Sequence, residues 1–393
     1  MNHDFDVIVV GGGLVGSACA NALAQSGQRV ALLEAKRLNA ENPVENLIDG
    51  WDSRIYAISP GNAVWLETLG VWNLLDSNRI CSIASMHIWG DNDVAELQFN
   101  AYEANAANLG FIVENRQLQQ SLWSRLAGVG VEVITEGIAT SVDWQSDRAR
   151  VQLADNRCLT AKLIVAADGG HSWTREQAGI MVQTHQYEQM GLVANFETEL
   201  PHQHIARQWF GVDGILAWLP LPGNRISIVW STSNSHAEYL LGLNAEDLAS
   251  EVAEAGKQML GNMRLVTPAA AFPLALLKTQ QLVKPRLALV GDAAHLLHPL
   301  AGQGVNLGFR DVITLVQTMV ARKPIQDIGD IMLLRRYERA RKTDMMAMQY
   351  MTHGLHSLFA SQKSVVGKLR NWGLALTNQQ GALKKYLIRQ AII

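Results

Sequence analysis

The chain has little of what secreted or membrane-spanning proteins use. Its three cysteines, Cys19, Cys81 and Cys158, are odd in number and far apart in 393 residues. That argues against a disulfide framework and fits a reducing compartment. No run of 18 apolar residues occurs, so no membrane-spanning helix is expected. Met1-Asn2-His3-Asp4 leads straight into an apolar run with no basic region ahead of it. A secretory signal is therefore not expected, and the expected location is cytoplasmic. Internal repeats and low-complexity tracts are lacking, as is a basic-aromatic patch of the kind that binds nucleic acid. No Ser/His/Asp or paired-acid constellation stands out.

What is present is a globular composition, 48% hydrophobic and 18% charged, in a length suited to two or three domains. The net charge of −3 hides an asymmetry. From Met345 to Ile393 there is no Asp or Glu, while Lys363, Lys368, Arg370, Lys384, Lys385 and Arg389 supply six positive charges. Residues 1–344 carry 27 basic against 36 acidic residues, a net −9. A basic tail that also carries Met, Leu, Phe, Trp and Ile reads either as a contact for anionic lipid or an acidic partner, or as a helix packed on the body with its charges solvated.

Two glycine motifs carry the functional signal. Asp6 to Val10 reads as a buried parallel strand. Gly11-Gly12-Gly13-Leu14-Val15-Gly16 follows, then an Ala/Leu-rich helix to Ser26, and Arg29 to Glu34 as a second strand. Gly11 permits a tight turn, Gly13 admits a pyrophosphate to the backbone, and Gly16 lets helix pack on strand. Glu34, 21 residues after Gly13, is placed to accept ribose hydroxyls and to disfavour a 2′-phosphate, which points to FAD or NAD. The second motif starts 275 residues after Gly16. An apolar run, Leu287 to Val290, enters Gly291-Asp292-Ala293-Ala294-His295-Leu296-Leu297-His298-Pro299-Leu300-Ala301-Gly302-Gln303-Gly304-Val305-Asn306 and then a long helix. One carboxylate for ribityl hydroxyls, followed by a helix start aimed at the pyrimidine edge of a flavin, suits a cofactor that becomes anionic there on reduction. His295 and His298 have spacing that could suggest a metal, but a loop that must also bend through Pro299 and bind flavin is poor scaffolding for one, so no metal is expected. Structural hydrogen bonding is the preferred reading of these histidines, and His202-Gln203-His204 is read as solvated.

Between the motifs, residues 131–160 alternate as a β-meander and Leu163 to Ala167 re-enters a buried strand. Gly191 to Phe196, Ile215 to Leu219 and Arg225 to Trp230 read as strands of a separate sheet, with one helix around 244–260. Residues 330–360 read as helical, with Arg335, Arg336, Arg339, Arg341 and Lys342 exposed.

Taken together, GxGxxG at 11–16, D-x-R-x-x-A-I-S at 52–59, V-E-N-R at 113–116, D-G-x-x-S-x-x-R at 168–175, F-P-L at 272–274 and the 291–311 stretch resemble the class A flavoprotein aromatic hydroxylases. Within these the chain is similar to the ubiquinone-biosynthesis UbiH/UbiF/VisC group. The resemblance spans essentially the whole chain. Ala206 to Phe210, Gly214 to Ala217 and Leu387 to Ala391 look nearest the VisC branch, whose members hydroxylate ring carbon 5 of a polyprenylphenol. Leu296-Leu297 departs from the Thr-Ile more common in related chains. The resemblance implies the para-hydroxybenzoate hydroxylase fold: an α/β, Rossmann-like FAD-binding domain (1–75, 105–182 and 280–345), an inserted β-sheet substrate domain (76–104 and 183–279), and a helical basic C-terminal tail (346–393). It implies that Gly11, Gly13, Gly16 and Glu34 hold the adenosine diphosphate half of FAD, and that Arg54 and Arg116 contact the cofactor. Asp168 would serve FAD and NAD(P)H, and Gly291-Asp292 the ribitol. Gly302, Gln303, Gly304, Val305 and Asn306 would offer backbone donors to the flavin. Pro299 would present a carbonyl to the substrate, and His298 a polar group near the ring.

The reaction so implied is NAD(P)H reduction of FAD, addition of O₂ at flavin C4a, and transfer of one oxygen to an electron-rich phenol. The cofactor carries that chemistry while the protein supplies orientation and dryness. No second GxGxxG serves the nicotinamide, in keeping with a co-substrate that visits transiently. Ile215 to Leu221 reads either as a wall for a greasy ring or as a plain core strand. The rivals are a reductase on the same scaffold and a low-turnover flavoprotein subunit that docks other ubiquinone-biosynthesis proteins or a membrane surface. A halogenase lacks support because the W-x-W-x-I-P pattern is missing.

Overall fold

The computed structural model describes residues 3–36, 50–90, 96–211, 214–296 and 303–342. The first strand, Phe5–Val10, is central to an eight-stranded sheet. It pairs in parallel with Val30–Glu34 on one side and Cys158–Ala166 on the other. Leu287–Leu289 joins beyond Cys158–Ala166, again parallel. Val7, Val9, Leu32, Val165 and Leu289 are fully or almost fully buried, as β-branched and aliphatic runs must be when both faces of a parallel sheet are covered. The helices Leu14–Gln25, Asn115–Gly128 and Gln303–Val320 pack together beside this sheet.

A nine-stranded sheet forms the second layer, its longest strands being Val182–Thr198, Gly214–Leu221, Arg225–Ser233 and Ala270–Thr279. Period-two alternation gives it two different faces. Leu192, Phe196, Leu216, Trp218, Ile228 and Trp230 turn to one side and bury against Leu240, Leu248 and Val252 of the helices Asn234–Gly242 and Ala245–Ala255. The second of these helices starts cleanly, because Asn244 Oδ1 accepts from the amides of Glu246 and Asp247. A three-stranded antiparallel sheet, Ile55–Ile58, Gly110–Glu114 and Cys81–Ile83, lies between the layers in sequence, and Ser85–Trp89 leads from it into the nine-stranded sheet through Ile205–Gly211.

Several readings need correction. Residues 131–160 are not one meander: Glu132–Thr135 pairs in parallel with Val30–Glu34, and the antiparallel meander begins at Ala139. Alternation reveals a strand but not its partner. The helix expected around 244–260 spans Ala245–Ala255 and has a neighbour, Asn234–Gly242, that the pattern did not single out. His202 is buried, not solvated: its Nε2 bonds the carbonyls of Leu221 (2.8 Å) and Gly223 (2.9 Å), while Nδ1 accepts from the His204 amide. Burial pushes its imidazole pKa down, against the pull of those carbonyls. Arg341 is also buried, at 1% exposure, because it faces Asp311. Arg335, Arg336, Arg339 and Lys342 are exposed as expected. The basic tail lies outside the described residues.

Candidate active site

The first glycine loop is shaped by close backbone approach. Gly11 has φ +102°, and a methyl there would sit 2.5 Å from the Ala167 carbonyl oxygen. A methyl on Gly16 would lie 1.9 Å from the Gly11 oxygen, so neither position accepts a side chain. The Gly12 carbonyl accepts from Ser17 Oγ, Gln119 Nε2 and Trp123 Nε1, which pins the loop to two helices. Gly13, by contrast, opens on empty space: a methyl there would meet nothing within 4 Å. The helix that starts at Leu14 has no side-chain cap and no acid in its first turn, so its first amides remain available to an anion. Glu34 ends its strand beside this loop, with Oε2 accepting from the Gly12 amide at 2.8 Å. This donor set suits a pyrophosphate with an adjoining ribose.

The second motif is a short turn held from four directions. Gly291 (φ +59°) packs on Val15, and its amide donates to Asp311 Oδ2 at 2.9 Å. Asp311 is fully buried and also meets His295 Nε2 and Arg341 Nε, each at 2.7 Å. Burial opposes its ionisation, but the His295 and Arg341 charges outweigh that and hold its carboxyl below the usual range. Arg175 reaches across from the 168–175 segment and donates to the Ala293 carbonyl (3.0 Å) and the Gly170 carbonyl (2.8 Å). Asn306 anchors the following helix: Oδ1 accepts from the Ser59 amide and from Asn62 Nδ2, and Nδ2 donates to the Ala57 carbonyl. The result is that Asp292 projects into a cavity. Although open to it, Asp292 is surrounded by protein, and burial raises its carboxyl pKa against the lowering effect of His295 and Arg54.

That cavity, of about 810 Å³, runs between the two layers. One side is Gly13, Leu14, Val15, Asp292, Gly304 and Val305; the other is Val193, Ile215, Ala217, Leu219 and Val229 of the nine-stranded sheet, with Phe272, Pro273 and Leu274. Arg54 lines it too, its guanidinium 5.6 Å from the ring centre of Tyr56, whose hydroxyl burial pushes up in pKa. The mouth of a helix facing an apolar wall across a mid-sized cleft is the general form of a cofactor-plus-substrate site.

Gly13 thus lines the cavity together with Arg54, Asp292, Gly304 and Val305, while Gly11, Gly16 and Glu34 shape the loop that carries Gly13. Arg116 stands apart from the lining. Its amide (3.0 Å) and Nε (3.9 Å) face Asp52, which also accepts from the Arg54 amide at 2.9 Å. The Asp168 carboxylate is occupied locally by Ser172 Oγ and by the amide and hydroxyl of Thr174, while its neighbour Gly169 lines the cavity. His298, Pro299 and Gly302 lie outside the described residues, and Gln303 is described only as the first residue of its helix. Arg175 and Asp311 belong to the 168–175 and 291–311 motifs, which give them no role, and buried Glu114 pairs with the half-buried Arg79 (2.7 Å) beneath the Asp52 turn, a contact that no spacing rule suggests.

A family profile described as FAD binding domain matches residues 4–352. The 3-demethoxyubiquinol 3-hydroxylase of Escherichia coli (strain K12) is 36% identical, over 100% of this chain and 99% of that protein. The chain belongs to the FAD-dependent ubiquinone-biosynthesis hydroxylases. Ubiquinone hydroxylase UbiL of Rhodospirillum rubrum is 35% identical over 98% of the chain and 89% of its own length. Among solved structures, p-nitrophenol 4-monooxygenase PnpA from Pseudomonas putida DLL-E4 superposes with a TM-score of 0.77 at 16% identity, covering 100% of this chain and 99% of its own. HpxO from Klebsiella pneumoniae, complexed with FAD and uric acid, gives 0.75 at 17%, covering 98% and 96%. These last two share the fold, the α/β arrangement of the para-hydroxybenzoate hydroxylases. As a member of this family the protein is an FAD- and NAD(P)H-dependent monooxygenase. No described helix is long and apolar enough to cross a membrane.

Proposed function

We propose that this monooxygenase hydroxylates the aromatic ring of a polyprenylphenol on the route to ubiquinone, with ring carbon 5 as the position oxidised. The observation that supports this most is the single cavity that joins the glycine cradle to an apolar sheet face. Bound FAD would supply electron transfer from NAD(P)H and activation of O₂. The chain's own part is to bind, orient and keep dry. Gly11, Gly13, Gly16 and Glu34 would hold the adenosine diphosphate, and Asp292 the ribitol. The amides of Gly302, Gln303, Gly304, Val305 and Asn306 would face the pyrimidine edge, where a helix start favours negative charge. Arg54 would contact the cofactor from the cavity wall; Arg116 would act through the Asp52 turn, and Asp168 by holding Gly169 in place. Pro299 and His298 are assigned by motif as the carbonyl and polar group nearest the substrate ring. Ile215, Ala217 and Leu219 would shield the reacting centre from water.

Purified protein supplied with FAD, NADH or NADPH, a short-chain polyprenylphenol and ¹⁸O₂ should yield a product carrying one labelled oxygen at ring carbon 5. Product formed under argon would instead identify a reductase, and flavin binding without any product would identify a low-turnover subunit. We further propose a cytoplasmic protein held loosely at an anionic membrane surface by the basic tail. Truncation after Asp344 should weaken binding to phosphatidylserine vesicles more than FAD binding. Unchanged vesicle binding would refute the lipid role.

A further inference from the structure

On the cavity side of the nine-stranded sheet most side chains are hydrocarbon. Asn195 and Ser227 lie opposite each other on this face but do not line the cavity, Asn195 Nδ2 donating to the Asp52 carbonyl and the Ser227 hydroxyl being sealed off. Two other polar residues of this face do reach the cavity. Gln208 lies opposite Ala217 in the Ile205–Gly211/Gly214–Leu221 pairing, and Ser231 lies opposite Ile215 in the next pairing. Directly opposed residues share a face, so both belong with Ile215, Ala217 and Val229 on the cavity wall, and both line it. Each is only 4% exposed. Neither side chain makes a hydrogen bond within the described residues, yet the polar atoms of neither are sealed off. The neighbouring Arg207 is different. It borders the cavity as well, but its side chain shares the opposite face with Trp218, where the guanidinium donates to the carbonyls of His202 and Ile205.

A buried carboxamide with nothing to bond is costly, and native proteins keep such groups where water or a ligand completes them. Here the surroundings say which ligand. Between Gln208 and Ser231 stands Ala217, whose methyl leaves room for a flat ring, and around them Val193, Leu219 and Val229 suit a hydrocarbon chain. An amide can both donate and accept, so it complements a neutral hydroxyl, which does the same.

We propose that Gln208, with Ser231 assisting, is the positioning group that binds the phenolic oxygen of the substrate and so sets which ring carbon faces the cofactor. This rests on the aromatic-hydroxylase reading above. No proton is transferred; the amide fixes orientation only.

Calorimetric titration of the FAD-loaded protein with a geranylated phenol, and with the same ring lacking its hydroxyl, tests the idea. Wild type should bind the phenol about tenfold more tightly, the yield of one well-made neutral hydrogen bond. Gln208→Leu should bring the two ligands to within about twofold, with the hydrocarbon bound as in wild type, and Ser231→Ala should show a smaller loss in the same direction. In turnover, Gln208→Leu should raise KM for the phenol and release more H₂O₂ per NAD(P)H consumed. A merely structural role would weaken both ligands alike. The proposal is overturned if wild type does not discriminate, or if Gln208→Leu keeps the full preference. Should that variant lose its flavin, Gln208→Met takes its place, and flavin loss in both would assign Gln208 to the fold and overturn the proposal. A preference that behaves as expected in a protein that never forms oxygenated product would leave this assignment standing and sink the hydroxylase reading instead.

Discussion

Replacing Asp311 with alanine is expected to be among the most damaging single changes outside the cofactor contacts themselves. Its carboxylate is fully buried and accepts from the Gly291 amide, His295 and Arg341 at once. Arg341 is itself 1% exposed, so the variant leaves a guanidinium in the interior without the carboxylate that faces its Nε. Breaking a buried pair in this way costs about 3–5 kcal/mol, or two to three and a half decades in the unfolding constant. The Gly291 amide also loses its acceptor, which loosens the turn that aims Asp292, so FAD affinity should fall with stability. Urea unfolding followed by tryptophan fluorescence, with and without FAD, measures both. The double variant Asp311→Leu/Arg341→Met should recover much of the loss, since an apolar pair of similar volume removes the stranded charge. Acid provides an independent handle. Asp311 titrates lower in the folded protein than the unfolded value of about 3.9. Its contribution is therefore complete at neutral pH and disappears as pH falls through its folded value. Wild type and Asp311→Asn should differ most near neutrality and converge in acid. A loss under about 1 kcal/mol for Asp311→Ala, or a double variant worse than the two singles combined, would refute the reasoning.

Gly16→Ala should abolish FAD retention, because its methyl would lie 1.9 Å from the Gly11 oxygen; a yellow, stoichiometrically loaded variant would contradict this. Asp292→Asn should move two observables in opposite directions. Burial raises the Asp292 carboxyl pKa, so its charge weighs on the flavin-free fold above that pH. The variant's flavin-free melting temperature should rise at neutral pH, and the gain should shrink as pH falls towards the unfolded value of about 3.9 and vanish below it, where the carboxyl is protonated in both states, while FAD binding weakens throughout. Gly256→Ala would place a methyl 1.9 Å from Cζ2 of the fully buried Trp218. It should lower stability by about 1–3 kcal/mol and leave FAD affinity largely unchanged at temperatures where the protein is folded.

What could be read from the sequence is what backbone geometry dictates to residue type. Gly11 and Gly16 must be glycine because neighbouring backbone leaves no room, and the strand-helix-strand frame around them is set by local periodicity. Roles that depend on distant segments meeting were not legible. The Arg175 guanidinium finds its acceptor 118 residues away at Ala293, and Arg341 is interior only because Asp311 lies opposite. His202 looked solvated in an unremarkable His-Gln-His run until the Leu221 and Gly223 carbonyls closed on it. Asp168 and Arg116 came from motifs that name residues without saying whether the side chain faces the ligand or braces the turn. Their contacts place the Asp168 carboxylate and the Arg116 amide in the bracing.

The stretch Ile215 to Leu221 shows why two sequence readings can both hold. As a wall for a greasy ring and as a plain core strand it seemed to offer a choice, but a strand between two different environments is both. Leu216 and Trp218 face the helices and make the core of the second layer; Ile215, Ala217 and Leu219 face the cavity. A slip of one residue in register would carry Trp218 into the site and Ala217 into the core. Trp218 is held against that by the close fit of Gly256 on its ring, and by the edge-on contact of Trp209, whose ring centre is 4.6 Å from its own. The packing that stabilises the second layer is therefore also what keeps Ala217, and the gap between Gln208 and Ser231, in front of the cofactor cradle.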